Sequence, residues 1–244
     1  MSDAGRKGTK TRKIPKWEAE LWSYLSQGDG IHCPLYQSCH LRLDGGWCLS
    51  EHEEYYQLMN DFLDGEVPNL TNPASIKFEF PACPQSGRIF KLVRKLAVKC
   101  QTEAGIDGLP VPDDLITHAD DNLPIEVRKI PLKAHHGAIW RLNDCWVVQL
   151  NVNDTPARQR FTLYHEVFHI LAHNKATPVF KKTASSPEGS FNELLADHFA
   201  AIILMPEKQV EEKWAEIKDV NRMAAIFDVP RPLVWFALKH QGLI

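Results

Sequence analysis

Residues 155–174 read TPARQRFTLYHEVFHILAHN, and residues 190–206 read SFNELLADHFAAIILMP. In the first stretch Thr155 is placed to cap a helix. Pro156 takes the first helical position, where its missing N–H has no intrahelical partner to lose. The helix then runs toward Asn174, before Pro178. His165 and His169 are four residues apart, so both imidazoles project from one face and can bind a single zinc ion. Glu166 lies beside them, where a carboxylate can take a proton from water; this is the H-E-x-x-H pattern. Leu163, Val167, Ile170 and Leu171 form an apolar stripe for a core. Thr162, His165, Glu166 and His169 form a separate flank about 120° away at about 100° per residue, which argues against a pair of ordinary core histidines.

A catalytic zinc ion needs a third protein ligand and an open position. The second stretch is a helix that places Glu193 and Asp197 four residues apart, on one face. Glu193 is assigned to the metal, and Asp197 to a hydrogen bond that fixes the tautomer of a ligand histidine. Ser190-Phe191-Asn192-Glu193 also matches a capping box, which would occupy the same glutamate, with Asp197 or His198 as the fallback ligand. His173 continues the four-residue spacing but stands about 12 Å along the axis from His165, too far for one tetrahedral ion.

Upstream, Phe90, Leu92, Val93, Leu96 and Ala97 follow a helical period. IEVRKIPL, GAIWRL and CWVVQLNV read as strands, the last two joined through Asn143-Asp144 as a hairpin. Downstream, VEEKWAEIKDVNRMAAIF reads as helix, followed by a turn at Asp228-Val229-Pro230 and a further helix, LVWFALKH. The last two helices have a helix-turn-helix look. The second carries Leu233, Val234, Trp235, Phe236 and Leu238 rather than donors for base edges, so packing on the core is expected.

QRFTLYHEVFHILAH followed by NELLADHFAAIILMP, with the upstream strands and the closing MAAIFDVPRPLVWFALKHQGL, resembles the ImmA/IrrE family of zinc metallo-endopeptidases over about residues 88–244. Val167-Phe168 replaces the usual small pair after the catalytic glutamate. The resemblance implies an α+β fold with a zincin-like metallopeptidase core, in which a small mixed or antiparallel sheet accompanies the HExxH helix. It also implies zinc on His165, His169 and Glu193, with Glu166 catalytic. The expected activity is hydrolysis of a peptide bond in a protein or peptide substrate; family members that cleave transcriptional repressors make a repressor the expected partner. His135, His136, Tyr164 and His198 are candidate donors to the oxyanion. The GAIWRL strand is a candidate edge for pairing with an extended substrate. The rival readings are a non-catalytic zinc-containing regulatory module and a DNA-binding regulator.

The organisation expected from sequence has four parts. Residues 1–16 are a disordered tail bearing Arg6, Lys7, Lys10, Arg12, Lys13 and Lys16. Residues 17–87 form a small cysteine-rich module, 88–206 the peptidase core, and 207–244 a helical segment packed on it. Cys33, Cys39, Cys48 and Cys83 are the right number for a second, structural zinc ion. Against that stand the unfamiliar spacing, replacement of one thiol by His32, His40 or His52, an iron–sulfur cluster, and ordinary reduced cysteines. Cys100 and Cys145 fall in regular runs and read as small core residues. With 244 residues, 44% hydrophobic and 24% charged, the chain has globular composition. Its net charge of −3 disfavours nucleic acid as a principal partner. No apolar run reaches the length of about 18 residues that a membrane helix needs. The basic N-terminus lacks an apolar stretch behind it, so a cytoplasmic location is expected.

Overall fold

The helix expected over residues 155–174 is present as Pro156–Lys175, and the rest of the fold is arranged around it. The computed structural model describes residues 14–25, 84–175 and 187–244, apart from 107, 114, 115, 117, 118, 121 and 134. Among these residues the chain is a mixed α+β structure with seven helices and one three-stranded sheet. In chain order the elements are α1 (Lys16–Leu25), α2 (Pro84–Glu103), β1 (Ile125–Ile130), β2 (Gly137–Arg141), β3 (Trp146–Asn151), α3 (Pro156–Lys175), α4 (Pro187–Leu204), α5 (Glu207–Ile217), α6 (Val220–Phe227) and α7 (Arg231–His240). Residues 1–13 of the expected tail and the four cysteines Cys33, Cys39, Cys48 and Cys83 lie outside the described residues, whereas Lys16, grouped with the tail, opens α1.

The sheet is mixed, with strand order β1-β3-β2. β3 pairs in parallel with β1, Ile125 opposite Trp146 and Ile130 opposite Asn151. It pairs antiparallel with β2, Gly137 opposite Leu150 and Arg141 opposite Trp146. The hairpin expected at Asn143-Asp144 is closed by Leu142 N–H donating to the Cys145 carbonyl at 2.8 Å. β3 is the central and most buried strand, in keeping with its near-continuous apolar run. Two polar anchors hold the sheet's connections. Trp146 Nε1–H donates to Asp120 Oδ2 at 2.7 Å, and Asp120 Oδ1 accepts from the Asn122 and Leu123 amides. Asn151 Nδ2 donates to the carbonyls of Leu132 (3.0 Å) and His135 (3.3 Å), pinning the segment between β1 and β2.

α3 is capped as expected: Thr155 Oγ1 accepts from the Arg158 amide at 3.2 Å. The expectation of an amphipathic helix is corrected. From Arg158 to Ala172 every residue is buried except His165, which is partly exposed. Tertiary contacts explain the difference, because the sheet and α4 cover separate faces of α3. Phe161, Phe168, Ile170 and Ala172 are at most 2% exposed, and Phe168 packs on Phe199 of α4 with ring centroids 5.5 Å apart. Each of the larger ones, Phe161, Phe168 and Ile170, contributes about 1.5–3 kcal/mol by leaving water.

α1 belongs to this same core, although the sequence reading grouped residues 17–25 with the cysteine-rich region. Leu21 and Trp22 are buried, and Glu18 accepts from Trp22 Nε1 at 3.2 Å and from Lys99 Nζ of α2 at 2.6 Å. The helix expected over 210–227 divides at Lys218, a left-handed residue (φ 49°) that ends α5. Asp219 then caps α6 by accepting from the Arg222 amide at 2.8 Å. On α7 Leu233, Val234, Phe236 and Leu238 are buried, so its apolar surface is used in packing. Cys145 is buried and Cys100 half-buried, both as free thiols. No helix among the described residues is long and apolar enough to cross a membrane.

Candidate metal centre

His165 and His169 leave α3 one turn apart on the side facing α4. Their Nε2 atoms are 3.2 Å apart. Glu193 reaches across from α4, with Oε2 3.1 Å from His165 Nε2 and Oε1 3.4 Å from His169 Nε2. α4 begins at Pro187, four residues before the start the sequence suggested. Glu193 therefore lies in the body of the helix and Ser190 is not at its cap, which removes the capping-box alternative. Asp197, one turn further on, is within 2.7 Å of His165 Nδ1 through Oδ1. An Nδ1–H donated to this carboxylate turns the Nε2 lone pair toward His169 and Glu193.

These three residues form a group able to hold a metal ion. Zinc with ligand distances of about 2.0–2.1 Å and tetrahedral angles sets its donors about 3.3 Å apart. The two imidazole nitrogens, 3.2 Å apart, meet that spacing, and each has one oxygen of Glu193 at a similar distance, Oε2 at 3.1 Å from His165 and Oε1 at 3.4 Å from His169. Two imidazoles and a carboxylate are also a donor set zinc accepts.

His165 is pushed up to about 10: burial by itself lowers it, and the charge and hydrogen bond of Asp197, reinforced by Glu193, override that effect. Glu193 is held well below the usual carboxylate range. Burial alone would raise it, but His169 and then His165 dominate. The cluster is thus a place where positive charge is favoured.

Glu166 follows His165 on α3 and is 3% exposed. Its Oε2 is buried without a hydrogen-bond partner among the described residues, as is Asp197 Oδ2. A dry, unpartnered carboxylate oxygen is costly, and such atoms concentrate where a ligand or a reaction supplies the partner.

The four candidate oxyanion donors are separated by the fold. The Tyr164 hydroxyl donates to the Pro112 carbonyl at 2.5 Å inside the core, so it is already engaged. His198 is buried between α2 and α7, edge-on to Phe90 (4.9 Å between centroids) and to His240 (5.9 Å). Burial, assisted by His240, pushes it down to about 3. His136 shares a hydrogen bond with Asp154 Oδ2 at 2.9 Å and remains partly accessible, and His135 is exposed. His173 has no described side chain.

One residue beside the centre was not singled out by sequence. Gly137, the first residue of β2, abuts Thr162 and Glu166. The available signal was a glycine opening a strand, which marks a close backbone approach.

No curated protein matches the sequence. A solved structure described as a Mycobacterium tuberculosis transcriptional regulator is similar at 15% identity and a TM-score of 0.45. The similarity covers 58% of this chain and 44% of that one, so the chain spans less than half of that protein's length. Residues 120–239, which include β1 to α3, both histidines and the α4 carboxylates, match the family model Peptidase_M78, IrrE N-terminal-like domain. Over those residues the chain matches the Peptidase_M78 family, whose fold is metallopeptidase-like.

Proposed function

We propose that this protein is a zinc-dependent endopeptidase that hydrolyses a peptide bond in a protein substrate. The reading is carried by one juxtaposition: two imidazoles and the Glu193 carboxylate converge within 3.1–3.4 Å, and the helix bearing the imidazoles also carries a buried carboxylate, Glu166, with an unpartnered oxygen. His165, His169 and Glu193 would hold the zinc, which when bound polarises a scissile carbonyl and acidifies water toward a pKa of about 7. Glu166 accepts a proton from the attacking water as its oxygen bonds to the carbonyl carbon. It returns that proton to the amide nitrogen as the carbon–nitrogen bond breaks. Asp197 keeps the His165 ring in the ligating orientation through Nδ1. Among the described residues β2 is a sheet edge, paired to β3 alone, and an extended substrate would add to it as a further strand. His136 is the better placed of the remaining oxyanion candidates, since Asp154 orients its ring. A transcriptional repressor as substrate rests on the family resemblance alone.

The test is Glu166→Gln in the full chain, loaded with zinc and assayed on a quenched-fluorescent peptide library. Zinc content stays at the wild-type value and kcat falls by about 10²–10⁴, the usual contribution of a general base. Equal cleavage by both forms overturns the proposal.

A further inference from the structure

A Cβ built on Gly137 would stand 2.4 Å from Thr162 Cγ2, 2.9 Å from Glu166 Oε1 and 3.4 Å from the Gln149 carbonyl oxygen. Carbon atoms in contact prefer about 3.5–4.0 Å, so the first two positions are already filled. By contrast, Gly105, Gly108 and Gly242 have nothing within 4 Å of such a Cβ. The glycine at 137 is therefore required by close approach and not by a turn. The strand has little room to retreat. Gly137 is in register with Leu150, the Asn151 amide donates to the His136 carbonyl at 2.9 Å, and the Asn151 side chain holds the preceding segment at Leu132 and His135.

Three groups meet there, and they differ in compliance. The β2 backbone is held by its ladder. Thr162 is 4% exposed, and as a β-branched residue within a helix it has few rotamers. The Glu166 carboxylate ends a long side chain and yields most easily. An added methyl would therefore displace the carboxylate more readily than the fold.

We propose that Gly137 is a positioning residue for Glu166: the space left by its missing side chain lets Oε1, beside the Thr162 methyl, stand directly against the β2 backbone and fixes where the carboxylate lies. This rests on the reading of Glu166 as general base.

The experiment compares wild type, G137A, T162S and the double variant G137A/T162S, all as zinc-loaded full-length chains. Zinc content, melting temperature, kcat and KM on the peptide library, and acetohydroxamate affinity by calorimetry are measured. T162S removes the Cγ2 contact and leaves the contact at Glu166. In the double variant, melting temperature and zinc content return to the T162S values. Its kcat stays about 100-fold below T162S, the scale of a 1 Å misplacement, with KM within about twofold. Acetohydroxamate binding weakens about tenfold or more, the worth of a hydrogen bond to a carboxylate, and E166Q reproduces that loss. A double variant whose kcat and acetohydroxamate affinity both lie within about twofold of T162S overturns the proposal, because Gly137 would then matter only for packing. If zinc-loaded wild type cleaves nothing, the endopeptidase reading fails separately, and acetohydroxamate affinity still decides the role of Gly137.

Discussion

Replacing Asp197 isolates how much the proposed metal site depends on a residue outside the three proposed ligands. Asp197 Oδ1 is 2.7 Å from His165 Nδ1, a length typical of a charge-assisted hydrogen bond, and the residue is 6% exposed. Two effects are combined in that bond: it selects the tautomer and rotation of the ring, and its negative charge makes Nε2 a better donor. Asp197→Asn keeps an oxygen able to accept from Nδ1–H and discards the charge. Asp197→Ala discards both and removes this partner from Nδ1. Partners of ligating histidines are worth about 10–100-fold in metal affinity. The Asn variant is expected near the lower end, about 1.4 kcal/mol, and the Ala variant near the upper end, about 2.7 kcal/mol. Competition against a chromogenic chelator at pH 7.5 reads the zinc dissociation constant of each form. Thermal unfolding of the metal-free proteins checks that the fold persists. Three equal affinities, or an Asn variant weaker than the Ala variant, would refute the assignment of Asp197 as the group that orients His165.

Two further outcomes follow from the packing around the centre. Phe168→Ala opens a cavity between α3 and α4 where the ring is fully buried, and urea unfolding is expected to show a loss of about 3–5 kcal/mol; a loss below about 1 kcal/mol would contradict the packing described. His198 is held neutral by burial and by His240, with its folded pKa near 3 against 6.5 for the free side chain. The unfolded chain then binds more protons at this position in acid, so the stabilising contribution is complete above pH 6.5 and is lost as pH falls toward 3. Between pH 7 and pH 5 the loss is on the order of 2 kcal/mol. Stability–pH curves from urea midpoints should be flatter in His198→Leu than in wild type, and parallel curves would count against this account.

Much of the centre could be read directly from residue spacing. Four residues is close to one helical turn, so His165 with His169, and Glu193 with Asp197, were bound to share faces wherever their helices went. The cap at Thr155-Pro156 and the hairpin at Asn143-Asp144 are likewise local features, decided by the backbone preferences of a few adjacent residues. Other features depended on where α4 starts. A helix beginning at Ser190 would have drawn Glu193 back to its own N-terminus, whereas one beginning at Pro187 frees the side chain for the histidines. Sequence also misjudged α3 as one-sided. Its polar residues Thr162 and Glu166 are buried because β2 lies against them, a contact between segments about 25 residues apart.

What sequence determined by itself, then, is the set of candidate side chains: two imidazoles and a carboxylate at fixed intervals on one helix, with a pair of carboxylates on the next. Tertiary structure decided which carboxylate meets both imidazoles, which one orients a ring, and that α1 shares the core. It also brought a glycine from an edge strand to the flank of Glu166. The physical reason is range. Helical period and capping act over three to five residues and leave a mark in composition, whereas the distance between α3 and its neighbours is set by side-chain volumes contributed from separate parts of the chain.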